Sequence, residues 1–92
     1  DCIDKIIEEF EDIWEKSGRT HDGVNRSALI PFPDQSEYLS SLLDDPRIHD
    51  IASNLCGEDS NYYSGDGNYY VGDTGWHSDG YNSRPVKSIK IG

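Results

Sequence analysis

The stretch GNYYVGDTGWHSDGYNSRPVKSIKIG, residues 67–92, decides how the fold of this chain is read. Gly, Asp, Asn and Ser punctuate it at short intervals, with aromatic and β-branched residues between them, the pattern of short strands joined by tight turns. The same composition begins upstream, at Glu58. It predicts strands at 61–64 and 68–71 joined through Gly65-Asp66-Gly67, and a turn at 72–75. A strand through 76–79, a loop at 80–85 and a last strand at 86–91 follow.

Within that stretch, Trp76-His77-Ser78-Asp79 carries the chemistry. Residues i and i+2 of a strand point to one face, with Cα atoms roughly 6.5–7 Å apart. His77 and Asp79 can therefore aim at one point while Ser78 faces away. An imidazole nitrogen and a carboxylate oxygen meeting there supply two of the three ligands of the facial triad that holds non-haem Fe(II). The spacing alone leaves other readings open: a His–Asp hydrogen bond, or a solvated turn. Asn68 and Tyr70 share a face of the preceding strand and, with Trp76, are candidates to line a pocket. Core packing or an exposed hairpin face is the simpler account of Asn68 and Tyr70, and plain core of Trp76. The pairs Tyr62–Tyr63 and Tyr69–Tyr70 suit cross-strand packing. Asp59-x-Asn61 and Asp66-x-Asn68 open like EF-hand loops, but the later ligands and the glycine of such a loop do not follow.

Upstream of residue 58 the periodicity is helical. Ile3, Ile6, Ile7, Phe10, Ile13 and Trp14 repeat at helical spacing over 3–17, with Asp1 as cap and Ser17-Gly18 as the left-handed exit. Residues 19–33 read as an irregular connector with one short extended apolar patch, ALIPFP. Asp34 and Glu37 resemble a capping box before a short helix that buries Tyr38, Leu39, Leu42 and Leu43. Asp45 caps a further helix with Pro46 at its first position, Ile48, Ile51, Ala52 and Leu55 on one face, and Gly57 at its end. The chain thus reads as one unit, residues 1–92, in which 1–57 form a mainly helical layer and 58–92 the strands.

Ninety-two residues make one domain with a modest core. Eight Lys and Arg against eighteen Asp and Glu give a formal charge of −10, which repels nucleic acid and anionic membranes. Arg84, Lys87 and Lys90 are a local basic exception, read first as a solvated strand face. No apolar run is long enough to span a bilayer and no leader pattern opens the chain, so the cytoplasm is the expected compartment. Cys2 and Cys56 fit no zinc spacing and are read as reduced packing residues. The chain contains no Met, and its last residues stop inside an expected strand. Both ends suggest a piece of something longer.

The string 67–92, with the upstream DDPRIHDIASNLCGED, resembles the phytanoyl-CoA dioxygenase family of Fe(II)- and 2-oxoglutarate-dependent oxygenases. In that family a Gly-Thr-Gly-like turn precedes Trp-His-x-Asp, and a strand of alternating Lys and Ile follows. The resemblance implies an α+β fold, with N-terminal helices packed on the first three or four antiparallel strands of a partial double-stranded β-helix, a cupin-like jelly roll. It implies His77 and Asp79 as metal ligands, Fe(II) as cofactor and 2-oxoglutarate as cosubstrate. Asn68, Tyr70 and Trp76 would stand near cosubstrate or substrate, and O₂ and a small molecule would be the reactants. The family's third ligand is a later histidine, beside a group that anchors 2-oxoglutarate; His21 and His49 match neither position. The expectation is therefore a hydroxylase fragment, inactive alone, that self-associates through open strand edges. Asp79 stands where halogenating relatives carry a small residue, which favours hydroxylation. The alternative is a non-catalytic β-rich binding module with a structural His–Asp pair.

Overall fold

The computed structural model describes residues 1–77 and 88–92. Among them the chain forms three α-helices and one two-stranded antiparallel ribbon. Helix α1 spans Cys2–Lys16, strand β1 Ser27–Leu29, helix α2 Glu37–Ser41, helix α3 Pro46–Cys56 and strand β2 Gly67–Tyr69.

The locally encoded ends form as the residues dictate. The Asp1 carboxylate accepts from the Ile3 N–H at 3.1 Å to start α1, and Gly18 leaves the helix at φ 67°, a conformation that only glycine adopts without strain. Asp45 caps α3 by accepting from the Arg47 N–H at 2.9 Å, with Pro46 in the first turn. Helix α2 starts two residues later than the Asp34–Glu37 pattern predicts. Pro33–Gln35 form a 3₁₀ turn, and the Ser36 hydroxyl accepts from the Leu39 N–H at 3.3 Å. Both Asp34 and Ser36 can cap; Ser36 takes the role because its own backbone is extended, as a cap position requires.

The core is small and built around α1. Ile13, Leu29, Phe32 and Leu39 are buried, with Ile6, Phe10, Trp14, Tyr38 and Leu42 packed against them. Phe10 sets its edge against Phe32 at 5.5 Å and against Tyr69 at 4.9 Å, and Trp14 meets Tyr69 at 5.3 Å. These rings close over Gly67. A Cβ there would lie 2.8 Å from both Phe10 Cδ2 and Phe32 Cγ, so the absent side chain is what lets α1 sit on the ribbon.

The expected sheet is not what forms, and the jelly-roll assignment is corrected accordingly. Among the described residues there is no sheet of three or four strands: β2 pairs with β1, Ser27 opposite Tyr69 and Leu29 opposite Gly67. The predicted hairpin through Gly65-Asp66-Gly67 does not close, because the Gly65 carbonyl accepts from the Phe32 N–H at 2.9 Å. That bond ties the turn to the connector instead of to residues 61–64, which form no strand. Trp76 and His77 lie in irregular backbone, as do 88–92 at the end of the expected last strand. The rest of the strands predicted at 76–79 and 86–91 falls on 78–87, outside the described residues.

Two further expectations change. The apolar face of α3 is not covered among the described residues, with Ile51 49% and Leu55 62% exposed. Cys2 is exposed and accepts from the Tyr38 hydroxyl at 3.4 Å, so it is not a core residue; Cys56 is half-buried, and both thiols are free. No described helix is long and apolar enough to cross a membrane.

Two predictions follow from the packing and the caps. Gly67→Ala should destabilise the chain by about 1–3 kcal/mol, the usual cost of forcing a methyl into a filled core, read from the midpoint of chemical denaturation. The Arg47 guanidinium and backbone N–H lower the Asp45 carboxyl from 3.8 to about 2, and the N–H groups of Asn25 and Val24, with the Asn25 amide, do the same for Asp22. A carboxyl depressed by folding stabilises above its unfolded pKa and loses that contribution as pH falls through its folded value. Circular dichroism should therefore show stability declining between pH 3.8 and about 2. Asp45→Asn should remove part of that decline, leaving the part due to Asp22.

Candidate functional site

His77 sits at the end of a glycine-punctuated run. Gly72 turns the chain at φ 74°, and the residues that follow are exposed. Thr74, Gly75, Trp76 and His77 outline a shallow, open depression of about 310 Å³, with the Trp76 ring fully exposed on its rim. Trp76 does not join the core among the described residues; it stands on the rim of this depression.

The His77 ring is oriented by its own backbone. Nδ1 lies 2.8 Å from the Gly75 carbonyl. A carbonyl only accepts, so Nδ1 carries the proton, and in the neutral ring the lone pair belongs to Nε2. Metal-binding histidines are commonly set this way, one nitrogen donating to a carbonyl so that the other can ligate. The described half of the dyad thus has the donor chemistry a metal needs. Asp79 lies outside the described residues. Among the described residues no three His, Cys, Asp or Glu side chains gather as a metal-binding group.

Asn68 and Tyr70 have different neighbours. The Asn68 amide donates to Asp66 Oδ2 at 2.5 Å, while its own Oδ1 is buried without a hydrogen-bond partner among the described residues. Lys90 Nζ approaches Asp66 Oδ1 at 3.5 Å. The Asn68 amide first, and the nearby Lys90 ammonium next, hold the Asp66 carboxyl below its ordinary range. Tyr70 is half exposed, with the Arg26 guanidinium 6.0 Å above its ring.

The Asp66–Lys90 pair escaped the sequence reading, although both halves were visible in it. In the sequence Asp66-x-Asn68 reads as an incomplete calcium loop, Asn68 as a pocket candidate and Lys90 as part of a solvated strand face; no local pattern connects residues so far apart. His21 has an ordinary packing role, in line with its mismatch to any ligand position. It is stacked on Tyr69 at 5.1 Å, with Nδ1 2.9 Å from the Ser27 hydroxyl, which makes it part of the ribbon's packing. His49 lies exposed on α3 beside Asp50 at 3.7 Å.

Comparison of the chain with protein-family models, with curated proteins and with solved structures finds no match.

Proposed function

We propose that the chain belongs to a non-haem Fe(II)- and 2-oxoglutarate-dependent hydroxylase, with His77 and Asp79 as two of the metal's ligands. The observation that carries the proposal is the hydrogen bond from His77 Nδ1 to the Gly75 carbonyl, which directs the lone pair to Nε2. The Gly-Asp-Thr-Gly-Trp-His-x-Asp order of residues 72–79 supports the same reading, independently of any barrel around it. In such an enzyme the bound iron, with 2-oxoglutarate, supplies O₂ activation for hydroxylation of a C–H bond. This chain's part is narrower. Gly75 holds the imidazole in the ligating tautomer, Asp79 adds an anionic oxygen donor that offsets the cation's charge, and Trp76 offers an apolar wall beside them. His21 is packed in the ribbon and His49 lies exposed on α3, and neither matches the position of the family's third ligand.

Anaerobic calorimetric titration with Fe(II) tests the assignment. His77→Ala and Asp79→Ala should each weaken binding by about tenfold or more, a loss of at least one ligand's contribution. In a longer form that carries the third ligand and the 2-oxoglutarate anchor, addition of 2-oxoglutarate to the Fe(II)-loaded protein should bring up a visible charge-transfer band that both variants lack. Fe(II) affinity unchanged in both variants would refute the proposal.

A second reading, a non-catalytic binding module, has one observation in its favour: Tyr63 is 97% and Tyr70 52% exposed, apolar rings offered to solvent. On that reading Tyr63→Ala would abolish ligand capture and the Fe(II) titration would be flat.

A further inference from the structure

Helix α1 carries two unlike flanks. On one, its lysines are matched with acids one turn away: Lys5 Nζ lies 3.9 Å from Glu9, and Lys16 Nζ 2.5 Å from Asp12. On the other, Asp4, Glu8, Glu11 and Glu15 follow one another at i, i+4, i+7 and i+11, all exposed. Among the described residues Glu8, Glu11 and Glu15 form no ion pair, and Asp4 reaches only the terminal amine, at 4.0 Å. Like charges at that spacing repel and weaken the helix that bears them. Between this acidic row and the buried Ile13 side run Ile3, 65% exposed, and Ile7, 50% exposed, one turn apart on a single face.

The geometry points to this strip of α1 as a docking surface for a basic amphipathic helix of a protein partner, its apolar side on Ile3 and Ile7 and its Lys or Arg residues along Asp4, Glu8, Glu11 and Glu15. Charge complementarity selects the occupant. A second copy laid antiparallel on the strip would set the acidic row against itself. Nucleic acid and anionic lipid are repelled by the same row and by the chain's formal charge of −10. A helix is the shape that meets two isoleucines one turn apart with a parallel row of charge. The apolar pair on α3, Ile51 and Leu55, does not select a partner in this way, because Arg47, His49 and Asp50 around it are of mixed sign.

The probe is a fluorescein-labelled synthetic peptide of Leu and Lys in helical repeat, with a Leu/Glu peptide of the same pattern as control, followed by anisotropy against the whole chain. The Leu/Lys peptide should bind and the Leu/Glu peptide should not. Ile7→Ser, on the exposed edge of the helix, should weaken binding about tenfold, the scale of losing one buried aliphatic contact. The triple variant Glu8→Gln, Glu11→Gln, Glu15→Gln should weaken binding further and flatten its salt dependence. Removing three acids elsewhere (Asp44→Asn, Asp50→Asn, Glu58→Gln) controls for diffuse attraction and should change affinity less than twofold. Circular dichroism of each variant confirms that α1 is intact. Equal losses in the two triple variants, no effect of Ile7→Ser in a folded protein, or no binding of the Leu/Lys peptide would each overturn the proposal. So would a dimer of the free chain that Ile7→Ser dissolves, since the strip would then belong to a second copy.

Discussion

The structure depends on one close approach: the rings of Phe10 and Phe32 against the bare backbone of Gly67. An α-helix contributes a ring every third or fourth residue, and here Phe10 and Trp14 reach the same strand, with Tyr69 between them. A two-stranded ribbon of three-residue strands has too few ladder bonds to persist alone in water. It exists because α1 covers it, and α1 can cover it because residue 67 has no side chain. Leu29 and Phe32 from the connector, and Leu39 from α2, complete the same small core.

That arrangement divides the chain into a part that is packed and a part that is presented. The ribbon, α1 and α2 share the buried residues. Helix α3 contributes no fully buried residue, and the run from Gly72 to His77 lies outside the core. Within that exposed run the His77 imidazole meets the carbonyl two residues before it. Asp66, Asn68 and Lys90 show a different balance: a half-buried polar group on the strand itself, with a carboxylate approached from two directions and one amide oxygen that has no hydrogen-bond partner among the described residues.

What was legible in the sequence was what is decided locally. The ends of α1 and α3 follow from Asp1, Gly18, Asp45, Pro46 and Gly57, each acting on neighbours within a turn. Helix α2 was located, but its start was misassigned between two residues that both cap well. Strand pairing was not legible, because a short strand's own residues do not name its partner. A strand forms at Gly67–Tyr69, where the pattern predicts 68–71, and the Gly65–Phe32 bond and the ring contacts to Gly67 attach it to Ser27–Leu29 rather than to its sequence neighbours. For the site, Trp76-His77 was visible as a motif. The orientation of the imidazole depends on the path of the backbone at Gly75, and the Asp66–Lys90 contact on the course of the chain between them; neither is written in spacing.

The seat of α1 on Gly67 can be read directly in solution by proton NMR. Two aromatic rings within contact distance should move the Gly67 α-proton resonances well upfield of their unfolded positions, with nuclear Overhauser effects from those protons to the ring protons of Phe10 and Phe32. Random-coil shifts for the Gly67 α-protons, with Overhauser contacts from residues 67–69 to 61–64 instead of 27–29, would contradict the account and restore the hairpin in place of the ribbon.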